Sequence, residues 1–356
     1  MKKTEFSKNF TLTGLIVTLA ASLLLSGCGG NKTETAGAEA GAASGDGEPE
    51  VLELNYQGGV GTVTYPELAE DLGYLAPIKL NFIGTTISGP QDIQATVTGD
   101  TDFGGAFNGA ILKLIAAKAP ITPVISYYGV DENTWTGYYV LEDSPIKSAR
   151  DLIGKKIAVN TLGAHHEFVI KEYLRREGLT EDEIKQVTLV VVPPVTGEQT
   201  LRAGQIDVAT LGGLLRDKAL ERGGIRPLFK DRDLFGDFSA GSYVLRNDFI
   251  KKNPDTTRKF VEAVSKAIEW ARTTPAEEVR QRFEAIIEKR GRKEDTSIVK
   301  YWKSTGISAK GGVIQESEFA TWVNWLEKDG LLKEGELDSR TLFTNEFNPY
   351  NNEESK

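Results

Sequence analysis

Few residues of this 356-residue chain are of a type that could do covalent or metal chemistry. There is one Cys, Cys28, and the only two His, His165 and His166, stand side by side. A single thiol excludes a disulfide framework, a Cys-ligated zinc site and a dithiol redox motif. Adjacent His on a helix point about 100° apart, and no His-Glu-x-x-His is present, so no metal is expected. Asp231, Asp233 and Asp237 lack the ordered spacing and the Gly of a calcium loop and read as a solvated turn. There is no Gly-x-Ser-x-Gly elbow, and Gly58-Gly59-Val60-Gly61-Thr62 lacks the Gly-Lys-Ser/Thr of a P-loop. Neither an enzyme nor a cofactor is expected.

What remains is binding chemistry. Polar, Gly-rich loops recur at Gln57–Thr62, Gly84–Gln91, Gly105–Gly109, Asn160–Glu167, Pro194–Glu198 and Leu211–Leu214. Loops of this kind present backbone N–H groups at positive helix ends, which suits a small anion. None holds a cluster of Lys or Arg, so neutral donors would hold the anion. The candidate ligand contacts are Gln57, Gly59, Gly61 and Thr62 in the first loop, and Ser88 with the Gln91 N–H in the second. Phe107 and Asn108 follow in the third, then Thr161, Gly163 and His165, then Gly212 and Gly213. Trp135, beside the polar run Asp131–Thr134, is the candidate to cover an apolar part of the ligand. A cleft-facing His165 would raise anion affinity below pH about 6.5. Tyr127, Tyr128, Tyr138, Tyr139, Trp322 and Trp325 read as core.

These loops must be positioned by alternating strands and helices. Strands are expected at Leu52–Tyr56, Ile78–Ile83, Lys156–Val159, Val187–Val192 and Val208–Leu211, the fourth of them buried. Helices are expected at Pro66–Leu72, Gln91–Val97, Ala164–Glu177 and Glu198–Ala203. Both halves run strand, loop, helix, strand, loop, helix, Gly-x-x-Asp, strand. Tyr56 to Asp102 spans 46 residues and Asn160 to Asp207 spans 47. That order predicts two similar α/β lobes, each with a mainly parallel sheet. The β-like segments Gly137–Leu141 and Ser242–Leu245 are read as the two crossings. Lobe 1 is then 51–140 plus 246–350, and lobe 2 is 141–245. Helices starting at Asn253, Ala276 and Glu316 would return to lobe 1.

Composition agrees with a globular body: 40% hydrophobic, 26% charged, net charge −9, about two domains. The acidic balance argues against nucleic-acid binding. Lys2, Lys3 and Lys8 precede the apolar stretch 11–25, which has the length of a signal-peptide core rather than of a membrane span. It ends in Leu25-Ser26-Gly27-Cys28, which resembles the lipobox of bacterial lipoproteins. Residues 1–27 then form a signal peptide, and the Cys28 thiol carries a lipid. Three Lys and one Glu leave with that peptide, taking the charge from −9 to −11. Residues 28–50 are small and polar and are expected to be a flexible tether.

The lipobox, the two-lobed plan, the stretch GTTISGPQDIQATVTGDTDFGGAF (84–107) and the stretch ARDLIGKKIAVNTLGAHHEFVIKEYLRREGL (149–179) together carry a resemblance. The chain resembles the substrate-binding lipoproteins of ABC importers, more narrowly the nitrate, sulfonate and taurine type, which is related to thiamine-precursor binders. That resemblance implies a type II periplasmic-binding-protein-like fold, with two hinge crossings and a ligand between the lobes. It implies a monomer on the extracytoplasmic face of the membrane, with a permease and its ATPase as partners. The ligand it implies is a sulfonate, a taurine-like compound or nitrate. The alternatives are a nitrogenous heterocycle such as a pyrimidine, or a sensor in place of an import receptor. Many relatives carry Trp and an acidic residue after the second Gly-x-x-Asp strand, where this chain has Thr210-Leu211-Gly212-Gly213-Leu214. Relatives that make a thiamine pyrimidine use a Cys-rich motif, which this chain lacks.

Overall fold

A computed structural model describes residues 47–352. The expected signal peptide, Cys28 and most of the expected tether lie outside the described residues. The end of that tether is held in place. Glu50 accepts from the Asp255 and Thr256 N–H groups at 3.2 and 2.8 Å, capping the helix Pro254–Thr273. The Thr256 hydroxyl then accepts from the Val51 N–H at 2.9 Å. The folded body therefore begins with a cap contact, of a kind typically contributing about 1 kcal/mol.

Ten strands follow: β1 (Glu53–Gly58), β2 (Lys79–Thr85), β3 (Phe103–Phe107), β4 (Ile121–Val130), β5 (Thr136–Leu141), β6 (Lys156–Val159), β7 (Thr188–Val191), β8 (Ala209–Gly212), β9 (Ile225–Lys230) and β10 (Phe238–Arg246). β1 pairs with β2 in parallel, and β10 lies antiparallel between β3 and β4. The second half repeats this plan. β6 pairs with β7 in parallel, and β5 lies antiparallel between β8 and β9. Each lobe thus combines a parallel strand pair with a three-stranded antiparallel sheet whose middle strand is the first to follow a crossing: β5 enters lobe 2 and β10 re-enters lobe 1.

The repeated Gly-x-x-Asp has a structural job, the same in both lobes. Gly99 and Gly204 end their helices in the left-handed region, with φ of 86° and 69°. Three residues on, Asp102 accepts the Asn55 N–H at 2.7 Å and donates its own N–H to the Asn55 carbonyl at 2.9 Å. Asp207 does the same to Lys156, at 2.8 and 2.9 Å. Each Asp stitches the incoming strand to the first strand of its lobe.

Strand pairing moves both crossings toward the N-terminus of their expected positions. β5 belongs with lobe 2 and β10 with lobe 1. The chain therefore crosses at 131–135 and again at 231–237. The segments read as crossings are apolar because they are central strands. β7 is also not buried: it pairs only with β6, and Val191 is 54% exposed. The C-terminal helices pack on lobe 1 as expected. Phe260, Val264, Ile268 and Ala271 are buried along the helix Pro254–Thr273, and Trp322 and Trp325 are buried on the helix Ser317–Lys328. Tyr138 and Tyr139 are fully buried in β5.

Candidate functional site

The loops after β1 and β2, the strands β3, β4 and β10, and the segment 299–305 enclose a cavity of about 470 Å³. Its floor is aromatic. The Tyr127 ring stacks on Tyr243 at 4.2 Å, Tyr128 meets Tyr127 edge-on at 4.9 Å, and Phe103 meets Tyr243 edge-on at 5.7 Å. β3 makes room for this floor by carrying glycine, since a Cβ at Gly105 would sit 2.7 Å from the Tyr127 ring. Thr62, Thr64 and Tyr65 form one wall, and Val299, Trp302, Ser304 and Thr305 another. From lobe 2 only Leu214 reaches in.

Two acceptors in this cavity have no partner. Asp92, on the buried face of the helix Gly89–Thr98, accepts the Gly105 N–H at 2.7 Å with one carboxylate oxygen, while its other oxygen, Oδ1, is buried and unbonded. Gln57 Oε1 is likewise buried and unbonded. Burial pushes the Asp92 carboxyl up to about 7, with the Gly105 N–H pulling the other way. No Lys or Arg lines the cavity.

Three smaller cavities adjoin it. One, of about 400 Å³, opens from it past Thr62, Ile87 and Leu214, and continues between Val60, Val195 and Ile298. A second, of about 270 Å³, lies behind Tyr127 and Tyr128 and is lined by Phe107, His165 and His166. A third, of about 180 Å³, joins the other two in lobe 2, past His166, Asn160 and Gly212. Together they trace one continuous cleft between the lobes.

His165 stacks on Phe107 at 5.1 Å, and its Nε2 stands 3.6 Å from Asp231 Oδ2. This contact is not an ion pair. Burial pushes His165 down to about 3 and Asp231 up to about 7, so both are driven toward their neutral forms. His166 is pushed down to about 4 for the same reason. The expectation that His165 would titrate near 6.5 fails because the lobes enclose it.

Of the residues named from the sequence, Gln57, Gly59, Gly61, Thr62 and Ser88 line the main cavity. Phe107 and His165 line the cavity behind the tyrosines, and Gly212 the lobe 2 side. The others point elsewhere. Gln91 is exposed, and its N–H is taken by Ser88 Oγ at 3.4 Å. Asn108 is fully buried and accepts from Ser242 Oγ at 2.8 Å. Trp135 lies between Arg216 and Lys230, at 4.1 and 4.7 Å from its ring, and packs into lobe 2. Thr161 bonds the neighbouring Leu162 carbonyl, Gly163 donates to Glu167, and Gly213 lies outside the cavities described above. Sequence reasoning missed Asp92, Tyr243 and Trp302 as lining and took Tyr127 and Tyr128 for core. Asp92 was findable: it sits with Ile93 and Thr96 on the buried helix face, where an acidic residue needs a reason to be.

Two lobes joined by two crossings around a lined cleft define a periplasmic-binding-protein fold. Solved structures agree. The periplasmic aliphatic sulphonate-binding protein of Escherichia coli superposes with TM-score 0.60 at 20% identity, covering 83% of this chain and 92% of that one. The periplasmic nitrate-binding protein of Synechocystis PCC 6803 gives 0.65 at 15% identity, covering 85% and 88%. The chain belongs to the NMT1/THI5 like family, whose model matches residues 68–278. A putative binding protein of Brucella abortus is 26% identical over 194 residues, 54% of this chain and 57% of that protein's length. A putative aliphatic sulfonates-binding protein of Escherichia coli is 27% identical over 225 residues, 60% of this chain and 64% of the relative. A 4-amino-5-hydroxymethyl-2-methylpyrimidine phosphate synthase of Saccharomyces cerevisiae is 26% identical over 220 residues, 58% and 63%.

Proposed function

We propose that this chain is the extracytoplasmic solute receptor of an ABC importer. In this reading it is held at the membrane by a lipid on Cys28, works as a monomer and passes its ligand to a permease. The ligand is a flat nitrogen heterocycle with N–H donors, of the aminopyrimidine class, bound without turnover. One observation carries the choice of ligand: the aromatic cavity holds two unbonded buried acceptors, Asp92 Oδ1 and Gln57 Oε1, and no cationic side chain. A buried acceptor left unpaired costs about 1–3 kcal/mol, so a ligand that donates to both recovers that cost. A ring between Tyr127 and the opposite wall gains stacking contact as well. The name of the yeast relative supports the same class of ligand.

A small anion is the second reading. It is favoured by the name of the sulfonates-binding relative and by Ser88, which caps the helix Gly89–Thr98 at the cavity wall. The two readings separate in a thermal-unfolding panel on the chain carrying Cys28→Ser, with aminopyrimidines, alkanesulfonates, taurine and nitrate at about 1 mM. A ligand at 100 times its Kd adds about 2.7 kcal/mol, a shift of a few degrees for a body of this size. A shift with aminopyrimidines alone is expected, and ligand recovered unchanged after denaturation marks binding rather than catalysis. A shift with sulfonates alone overturns the heterocycle.

A further inference from the structure

Resting on the receptor reading above, we infer that the natural ligand carries an apolar arm, which occupies the second cavity and drives closure of the lobes. The main cavity is almost entirely the work of lobe 1, with Leu214 its only lobe 2 residue. A ligand confined there would make few contacts that distinguish an open receptor from a closed one. A ligand shifts such an equilibrium only by its differential affinity for the two states. The missing lobe 2 contacts are found next door. The adjoining cavity of about 400 Å³ opens directly from the main one and is walled by both lobes: Val60, Ile87 and Ile298 on one side, Pro194, Val195 and Leu215 on the other.

The chemistry of this second cavity is unlike that of the first. No ionisable side chain lines it, and its side-chain polar atoms are the hydroxyls of Thr62 and Thr86. Val60, Ile87 and Val195 are 51%, 51% and 61% exposed, high for aliphatic side chains converging on one space. Water there finds few partners, and an aliphatic or aryl arm loses none by entering. The occupant follows from continuity. The opening faces the ring site, so a substituent on a bound ring reaches it without crossing a polar barrier.

The test uses the chain carrying Cys28→Ser, titrated with 4-aminopyrimidine bearing no substituent or a methyl, propyl or hexyl group at one ring carbon. Calorimetry gives affinity and small-angle scattering gives closure. Affinity is expected to rise about fourfold per methylene buried, with compaction accompanying the long-arm ligands and not the bare ring. Val195→Asp, a change at an exposed position, is expected to flatten this dependence while leaving the affinity of the bare ring unchanged. Binding of the bare ring with no gain from the arm overturns the inference and leaves the receptor reading intact, as does a gain that survives Val195→Asp. If no member of the series binds, the heterocycle reading falls and the inference falls with it.

Discussion

Lobe 1 and lobe 2 share a skeleton and divide the work unequally. In both, a helix ends in a left-handed Gly, and an Asp three residues later clasps the first strand, Asp102 on Asn55 and Asp207 on Lys156. In both, the helix before that clasp carries a buried carboxyl. In lobe 2 it is Glu198, whose two oxygens are taken by Arg202 and Arg222 at 2.9 and 2.8 Å. In lobe 1 it is Asp92, with one oxygen on the Gly105 N–H and the other left empty against the cavity. One carboxyl is satisfied within the protein, and the other keeps one oxygen unbonded, which the proposed ligand would take up. The clasp recurs in both lobes, whereas the unbonded carboxylate oxygen of the lobe 1 helix belongs to a residue lining the cavity where the receptor reading places the ligand.

The sharpest way to break this comparison is Asp92→Asn. Removing the ionised acceptor should lower affinity for an aminopyrimidine by 10-fold to 100-fold, on the order of 1.5–3 kcal/mol, read by calorimetry. The same change should stabilise the empty protein at pH 8. Asp92 has a folded-state value near 7, above its unfolded value, so it favours the fold when protonated and costs stability once ionised. Relieving that cost should be worth on the order of 1–3 kcal/mol, read as a higher Tm. Glu198→Gln should do the reverse, lowering Tm and leaving affinity unchanged. If the two variants behave alike, the division of labour between the lobes is wrong.

Next in size are the clasps. Asp102→Ala leaves the part-buried Asn55 N–H unpaired and should cost about 1–3 kcal/mol in denaturant unfolding, whereas Asp207→Ala frees the exposed Lys156 N–H to water and should cost about 0.5–1.5 kcal/mol. Only the lobe 1 variant should also weaken binding, because Asp102 leads into β3 beneath the tyrosines.

The pH dependence sharpens the comparison further. Ligand N–H donors need ionised Asp92, so affinity should be full above pH 7 and fall by roughly tenfold per unit below it. The empty protein should show the opposite trend in stability. Asp92, Asp231 and Glu318 are each raised by burial to about 7, so the native state holds protons that the unfolded chain has released, while His165 and His166, lowered to about 3 and 4, work the other way. Tm should therefore decline only shallowly from about pH 4 to 6.5 and more steeply from there to about pH 7. His165→Phe should leave the binding profile unmoved, because burial already keeps that ring neutral.

The smallest expected effect lies in the segment 295–305, which lines the cavity with Val299 and Trp302 and reaches lobe 2 through Lys303 on Asp217 at 2.7 Å and Tyr301 on Glu221. Lys303→Ala should weaken binding no more than about fivefold, the scale of a half-exposed ion pair.

The two-lobed plan was legible because its signals are local. β-branched runs, Gly-x-x-Asp and the loops Gln57–Thr62 and Gly84–Gln91 each declare themselves within ten residues. The cavity floor was not legible. Tyr127 and Tyr243 are more than a hundred residues apart and meet only because β10 returns from lobe 2 to lie beside β4. Nothing near Tyr127 says whether its ring faces packed protein or a cleft. Trp135 shows the converse: its polar neighbours suggested a ligand cover, but Arg216 and Lys230, remote in sequence, claim its ring. His165 was given an ordinary titration because burial by a second lobe leaves no local mark.

Asp231 holds a consequence for the motion. It stands at the start of the second crossing, and its Oδ1 accepts both the Arg232 N–H beside it and the Thr136 N–H where the first crossing ends. Asp131, at the start of the first crossing, holds the Thr134 N–H and the Ser304 hydroxyl in the same way. The two connectors are thus pinned to each other at their lobe 2 ends by one bond, Thr136 N–H to Asp231. Such a bond is worth about 1 kcal/mol, so it acts as a latch on the hinge: swinging the lobes as two leaves keeps it, and pulling the connectors apart gives it up.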